Sequence, residues 1–234
     1  MKKALFLAII AVSAMMVSCN KQAALTEEKE DIQAEMSQAI EAVRLANNLA
    51  LYGYETESAL ALIQAADMLV STPIAEMTEV SIEKGEAQGE AGQKAEKPVF
   101  TPAQLIADAK DFADGNETMM ALISNVEAKM IAAEEGTRGE VSGAIEHYDR
   151  IESRATDTYI LTFRAHELAE IAVIGDGDTD LDLYVYDENG NRIVYDEAYS
   201  GNCYVSFSPL WTGKFIVRIV NRGYVYNNYI LLTN

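Results

Sequence analysis

The chain has 234 residues, a formal net charge of −19 and 49% hydrophobic residues. That length fits one or two domains, and the apolar share lets each bury a core. Its 37 Asp and Glu against 18 Lys and Arg set up a negative field that repels phosphate backbones, which argues against nucleic-acid binding, and leave no polybasic attraction to anionic headgroups.

The N-terminus reads MKKALFLAIIAVSAMMVSCN. Lys2 and Lys3 form a positive start, and residues 4–15 form an apolar stretch too short to span a bilayer. Met16-Val17-Ser18-Cys19 follows. This run resembles the lipobox of bacterial lipoproteins, with Met16 where leucine is commoner. The resemblance implies a signal peptide over 1–19 and lipidation of Cys19 with palmitate-type acyl chains, each buried CH₂ adding about 0.8 kcal/mol of anchoring. Asn20, not Asp, comes next, so no inner-membrane retention signal is present. The expected location is the cell envelope, at the outer membrane, with the lipid anchor as the membrane contact.

Residues 24–135 read as a helical domain. Thr26 precedes Glu27 and Glu28, an N-cap pattern with acids in the first turn. Ile32, Met36, Ile40, Val43 and Ala46 recur at helical spacing up to Gly53, where the pattern is expected to stop. A second helix runs from about Thr56 to Leu69, before Pro73. The stretch EKGEAQGEAGQKAEKP is polar and Gly-rich, so residues 80–98 are expected to form a mobile loop. Thr101-Pro102 opens a third helix with a capping-box Gln104. Asp114-Gly115-Asn116 ends it, and Asn116 caps a fourth helix carrying Met119, Ile123, Val126 and Met130. Two helical hairpins suggest a small bundle; it holds no histidine, which argues against a di-iron site.

From about residue 140 the hydrophobic period becomes two. Tyr159, Leu161 and Phe163 share a face, Leu181, Leu183 and Val185 another, and Asn-Gly marks a hairpin turn at Gly190. About eight short strands predict an all-β sandwich, so the fold class is α+β, a helical bundle followed by a sandwich. The blocks DLDLYVYDENGN and TGKFIVRI, with VSFSP between them, resemble the bacterial pre-peptidase C-terminal domain over 140–234. That resemblance implies a jelly-roll-like accessory sandwich, although no peptidase domain precedes it here.

Asp176, Asp178, Asp180 and Asp182 alternate like the first half of a calcium loop. Leu181 stands where an EF-hand needs glycine, so two readings stay open: a polar strand lip, expected in so acidic a chain, or a sandwich-type calcium site using these four carboxylates. His166-Glu167 resembles the start of a zinc-protease helix but has Glu170 in place of the second histidine. Cys203 shares parity with Val205 and Phe207 and is expected to face the core. Nucleophilic catalysis is poorly supplied, and no carboxylate pair stands out among so many acids. Tyr184, Tyr186, Tyr224 and Tyr226 are candidate ligand-stacking residues, with cross-strand pairing as the alternative. The expected role is noncatalytic binding or scaffolding of an envelope protein or glycan. The alternatives are an envelope hydrolase, acting on peptide or glycan, and an inhibitor or chaperone of a separate peptidase.

Overall fold

A computed structural model describes residues 36–78, 80–94, 100–136 and 144–234. Cys19 and the Thr26 cap lie outside them. Among the described residues there are four helices, α1 (Gln38–Glu55), α2 (Ala59–Ser71), α3 (Pro102–Ala113) and α4 (Glu117–Gly136), with two short strands between α2 and α3. The helix starts follow capping chemistry. Ser58 Oγ accepts from the Ala61 amide at 3.3 Å, and Thr101 Oγ1 accepts from the Gln104 amide at 3.2 Å with Pro102 in the first turn. Asn116 Oδ1 accepts from Thr118 and Met119. The expected capping box is only half made, because the Gln104 side chain turns to Asp108 instead. Gly53 does not stop α1. It lies in the last turn, where a Cβ would sit 2.5 Å from Leu62 Cδ2, so it is the contact at which α1 and α2 approach.

Among the described residues ten strands form two five-stranded sheets. The first is ordered β1 (Ile74–Glu76), β3 (Ala144–Ile151), β10 (Asn227–Thr233), β5 (Ala169–Gly175), β8 (Asn202–Phe207). The second is ordered β2 (Ser81–Glu83), β4 (Thr156–Phe163), β9 (Gly213–Asn221), β6 (Leu181–Tyr186), β7 (Arg192–Asp196). Between the sheets lie Tyr159, Leu161, Phe163, Leu181, Leu183, Val185, Cys203, Val205, Phe215, Val217, Ile219, Tyr229 and Leu231. The alternation of apolar residues along β4, β6 and β8 therefore picks out the face that enters this core, Cys203 included.

The helices and the sheets do not pack separately, and two short strands, β1 and β2, already precede α3. Ile40 and Val43 of α1 pack with Ala172, Ile174, Ile230 and Leu232 on the outer face of the first sheet. Strand β5, covered by the core on one side and by α1 on the other, is buried at every residue, as a doubly covered strand should be. Glu170 of β5 accepts from the Ser37 amide at 2.8 Å and from the Tyr204 hydroxyl at 2.7 Å. A buried carboxylate thus meets the positive end of the α1 dipole.

The stretch expected as a mobile loop is instead tied to the sandwich along its described part. β1 extends the first sheet in parallel with β3, and β2 extends the second antiparallel to β4. The chain after α2 therefore covers one edge of each sheet in turn, which removes two templates for unwanted strand pairing. Farther on, the Gln88 amide donates to Ser153 O and the Gly92 amide to Tyr224 O. Gly85 passes so close to β4 that a Cβ would lie 2.4 Å from Thr156 O.

Candidate functional site

The four aspartates end β5 and open β6, and the structure gives them separate tasks. Asp176 forms a buried ion pair with Lys94 and accepts from the Asn228 amide at 2.9 Å. Asp178 also faces Lys94, at 2.8 Å. Asp180 accepts from the Ser200 amide at 2.8 Å and holds the β7–β8 connection. Asp182 accepts from Arg222. The ammonium of Lys94 also donates to Tyr226 O at 3.0 Å and lies 4.3 Å from the Tyr226 ring centre. A tethered cation thus stands between Asp176 and Asp178, where the calcium reading would put the metal. Among the described residues, no three Asp, Glu, His or Cys side chains are arranged to hold an ion.

The candidate tyrosines fall into two places. Tyr224 and Tyr226 lie in the β9–β10 connection. Tyr226 is flanked by Lys94 and, at 4.1 Å, by Arg150, and so belongs to the internal network. Tyr224 is exposed beneath Arg154 at 4.9 Å. Tyr184 and Tyr186 point away from the core on the outer face of the second sheet. There they meet Tyr195 of β7, which pairs with Tyr184 across the strands and is not among the candidate tyrosines of the sequence. The Tyr184 ring lies 6.4 Å from Tyr195 with planes 16° apart, and 6.4 Å from Tyr186 with planes 27° apart. Two arginines lie over the outer rings, Arg192 4.1 Å from Tyr195 and Arg218 5.0 Å from Tyr186.

The centre of this row is rigid. Tyr184 is buried; its hydroxyl donates to Glu197 at 2.6 Å, accepts from Arg222 Nη2 at 2.9 Å and lies 3.0 Å from Asp182. Burial, then the Glu197 and Asp182 carboxylates, raise its titration well above the ordinary range for tyrosine. The expected outward strand face is therefore present but not simply solvated: Asp182 and Tyr184 bury each other under Arg222. Tyr195 remains 46% exposed at the outer end of the row.

The residues weighed for catalysis are placed as follows. Cys203 donates its thiol to Leu181 O at 3.0 Å inside the core, and burial, followed by nearby Asp196, Asp182 and Asp180, raises its titration far above the thiol range. That favours the thiol over the nucleophilic thiolate. His166 sits in the β4–β5 turn with φ 64° and its amide bonded to Pro209 O, and no zinc-protease helix forms there. His147 lies 3.6 Å from Asp149 and edge-on to Tyr159. A cleft of about 280 Å³ lies beside α1, lined in part by Asn47, Phe100, Tyr148, Asn228 and Ile230. Trp211 stacks on Phe215 at the entrance to β9, a packing role.

No family model matches the chain, and no curated protein does. Among solved structures it is similar to the pre-peptidase C-terminal domain of a collagenase from Bacillus anthracis, at 14% identity and a TM-score of 0.31 over 37% of this chain and 86% of that one. It is also similar to PliG of Aeromonas hydrophila, a periplasmic inhibitor of g-type lysozyme, at 14% identity and a TM-score of 0.31 over 39% and 84%. A third is a carbohydrate-binding module of Cellvibrio mixtus lichenase 5A, solved with cellotriose, at 13% identity and a TM-score of 0.25 over 40% and 88%.

Proposed function

We propose that this chain is a lipid-anchored envelope protein whose sandwich binds a glycan without transforming it, through the outer face of the β2-β4-β9-β6-β7 sheet. The row Tyr195–Tyr184–Tyr186 carries this reading. Its near-parallel rings are fixed by the sheet and by the Tyr184 hydroxyl network. Rigid aromatic faces present apolar surface at little entropic cost. The α1 helix covers the other sheet, so among the described residues this is the face without a helix over it. The strand order β3-β10-β5-β8 over β4-β9-β6-β7 supports a jelly-roll reading of the sandwich.

Alanine at Tyr186 and Tyr195 together should lower affinity for the retained saccharide about tenfold, near 1.4 kcal/mol, with the melting temperature almost unchanged because surface changes seldom exceed about 0.5 kcal/mol. A glycan array identifies the saccharide and calorimetry measures the loss. If the double variant binds as tightly as the parent, the face is not the site.

The lipid-anchor part rests on Lys2, Lys3, the apolar run and Ser18-Cys19. Cys19→Ser should abolish incorporation of labelled palmitate and move the protein from the detergent phase to the aqueous phase on partition. Continued labelling would refute it.

A further inference from the structure

The outer face of the β2-β4-β9-β6-β7 sheet carries cations that an acidic chain would be expected to neutralise. Acids outnumber bases by 37 to 18. Elsewhere several bases find carboxylates: Arg44 with Glu41, Lys84 with Asp157, Lys94 with Asp176, Lys110 with Glu127, Lys129 with Asp67; among the described residues Arg154, over the Tyr224 ring, and Lys214 of β9 do not. Arg222, just beyond β9, pairs with Asp182. Arg192 and Arg218 do not. Among the described residues neither forms an ion pair or donates a side-chain hydrogen bond, and each lies over a tyrosine ring instead.

Strand register sets where these cations stand. Arg192 lies opposite Tyr186 on the β7 side, and Arg218 lies opposite Tyr184 on the β9 side. The tyrosine pair on β6 is therefore flanked by one guanidinium on each neighbouring strand, with about 10 Å between β7 and β9. A guanidinium stacked on a ring keeps its N–H edge outward, and that edge matches a carboxylate in a two-pronged geometry.

We infer that this face selects a carboxylate-bearing saccharide of the uronic-acid class over a neutral one. This rests on the reading of the face as a glycan platform. The rings meet the C–H faces of the sugar, and Arg192 and Arg218 take its carboxylates. The net charge of the chain does not forbid this. At physiological ionic strength screening acts over about 8 Å, so contacts at the face are set by the groups there. A uronate chain also carries charge far more sparsely than a duplex, with its one charge per about 1.7 Å.

The test is calorimetry on the full chain in detergent with three probes: a galacturonate hexamer, a neutral galactose hexamer and polyglutamate. The uronate should bind at least tenfold more tightly than either of the others. Arg192→Gln with Arg218→Gln should remove at least tenfold of the uronate affinity, change neutral-sugar binding less than twofold, and leave the melting temperature within about 2 °C. Equal binding of the neutral hexamer, lost in the Tyr186/Tyr195 variant, would overturn the acidic preference and keep the glycan platform. Equal binding of polyglutamate would overturn the saccharide class. Uronate binding untouched by the arginine changes would overturn the assignment of these residues. No binding of either saccharide would sink this inference, and an empty glycan array would sink the platform with it.

Discussion

Lys94→Met is expected to destabilise the fold by about 3–5 kcal/mol, the usual cost of breaking a buried ion pair from one side. For a chain of this size that corresponds to a fall in melting temperature of about 6–20 °C. The side chains of Lys94 and Asp176 are only 6% and 5% exposed, so water cannot replace the lost ammonium. Methionine keeps the apolar stem and removes only the charge, which leaves Asp176 and Asp178 facing each other across the space the ammonium filled. A double variant, Lys94→Met with Asp176→Asn, should recover part of the loss because the buried charge goes too. The same arrangement predicts no melting shift for the parent protein in millimolar calcium. A rise of more than about 2 °C with calcium, or a Lys94→Met variant as stable as the parent, would show that the ammonium does not hold this site.

Much of the fold is written in local pattern. Thr101-Pro102 and Asn116 mark helix starts by side-chain chemistry that depends on residues two or three positions away. The every-second-residue rhythm of β4, β6 and β9 selects the core face, and Cys203 follows it. What pattern could not show is set by partners distant in sequence. Strands β1 and β2 have three residues each, too few for a period, and exist because an open sheet edge waits beside them. Lys84 and Lys94 sit in a polar, Gly-rich stretch whose composition resembles a solvated loop. Their carboxylates lie 73 and 82 residues farther on. The tyrosine row was half legible: Tyr184 and Tyr186 share an outward parity, but only the antiparallel register of β6 with β7 and β9 adds Tyr195, Arg192 and Arg218. The same register explains why Asp182 is buried. Its cover, Arg222, is 40 residues away.

Lys84→Met should cost somewhat less than the change at Lys94, about 3 kcal/mol, because the lysine is 40% exposed although the Asp157 side chain it meets is fully buried. Lys84 Nζ lies 2.6 Å from Asp157 and 3.0 Å from Asp149. Without it, Asp157 keeps one neutral donor for a buried charge, the Gly85 amide at 3.1 Å, with the Tyr229 hydroxyl 3.0 Å away. Tyr229 in turn bonds Tyr159, and Tyr159 donates to Asp149 at 3.1 Å. The lysine therefore closes a network that joins β3, β4 and β10 and fastens the chain after β2 to the sandwich. Its pH signature separates this role from mere packing. Burial raises Asp149, but hydrogen bonds from Lys84, the Arg150 amide and Tyr159 outweigh it, so the group titrates below the ordinary 3.8. A depressed carboxylate stabilises the fold above its unfolded value, and that contribution is lost as pH falls through the lower folded value. The parent should therefore lose this share of stability only below about pH 4. The variant, with Asp149 moved back toward its ordinary value, should show a shallower acid dependence from a lower starting stability. Urea melts from pH 7 to pH 3 give both curves, and parallel curves displaced by a constant amount would mean that Lys84 acts by packing alone.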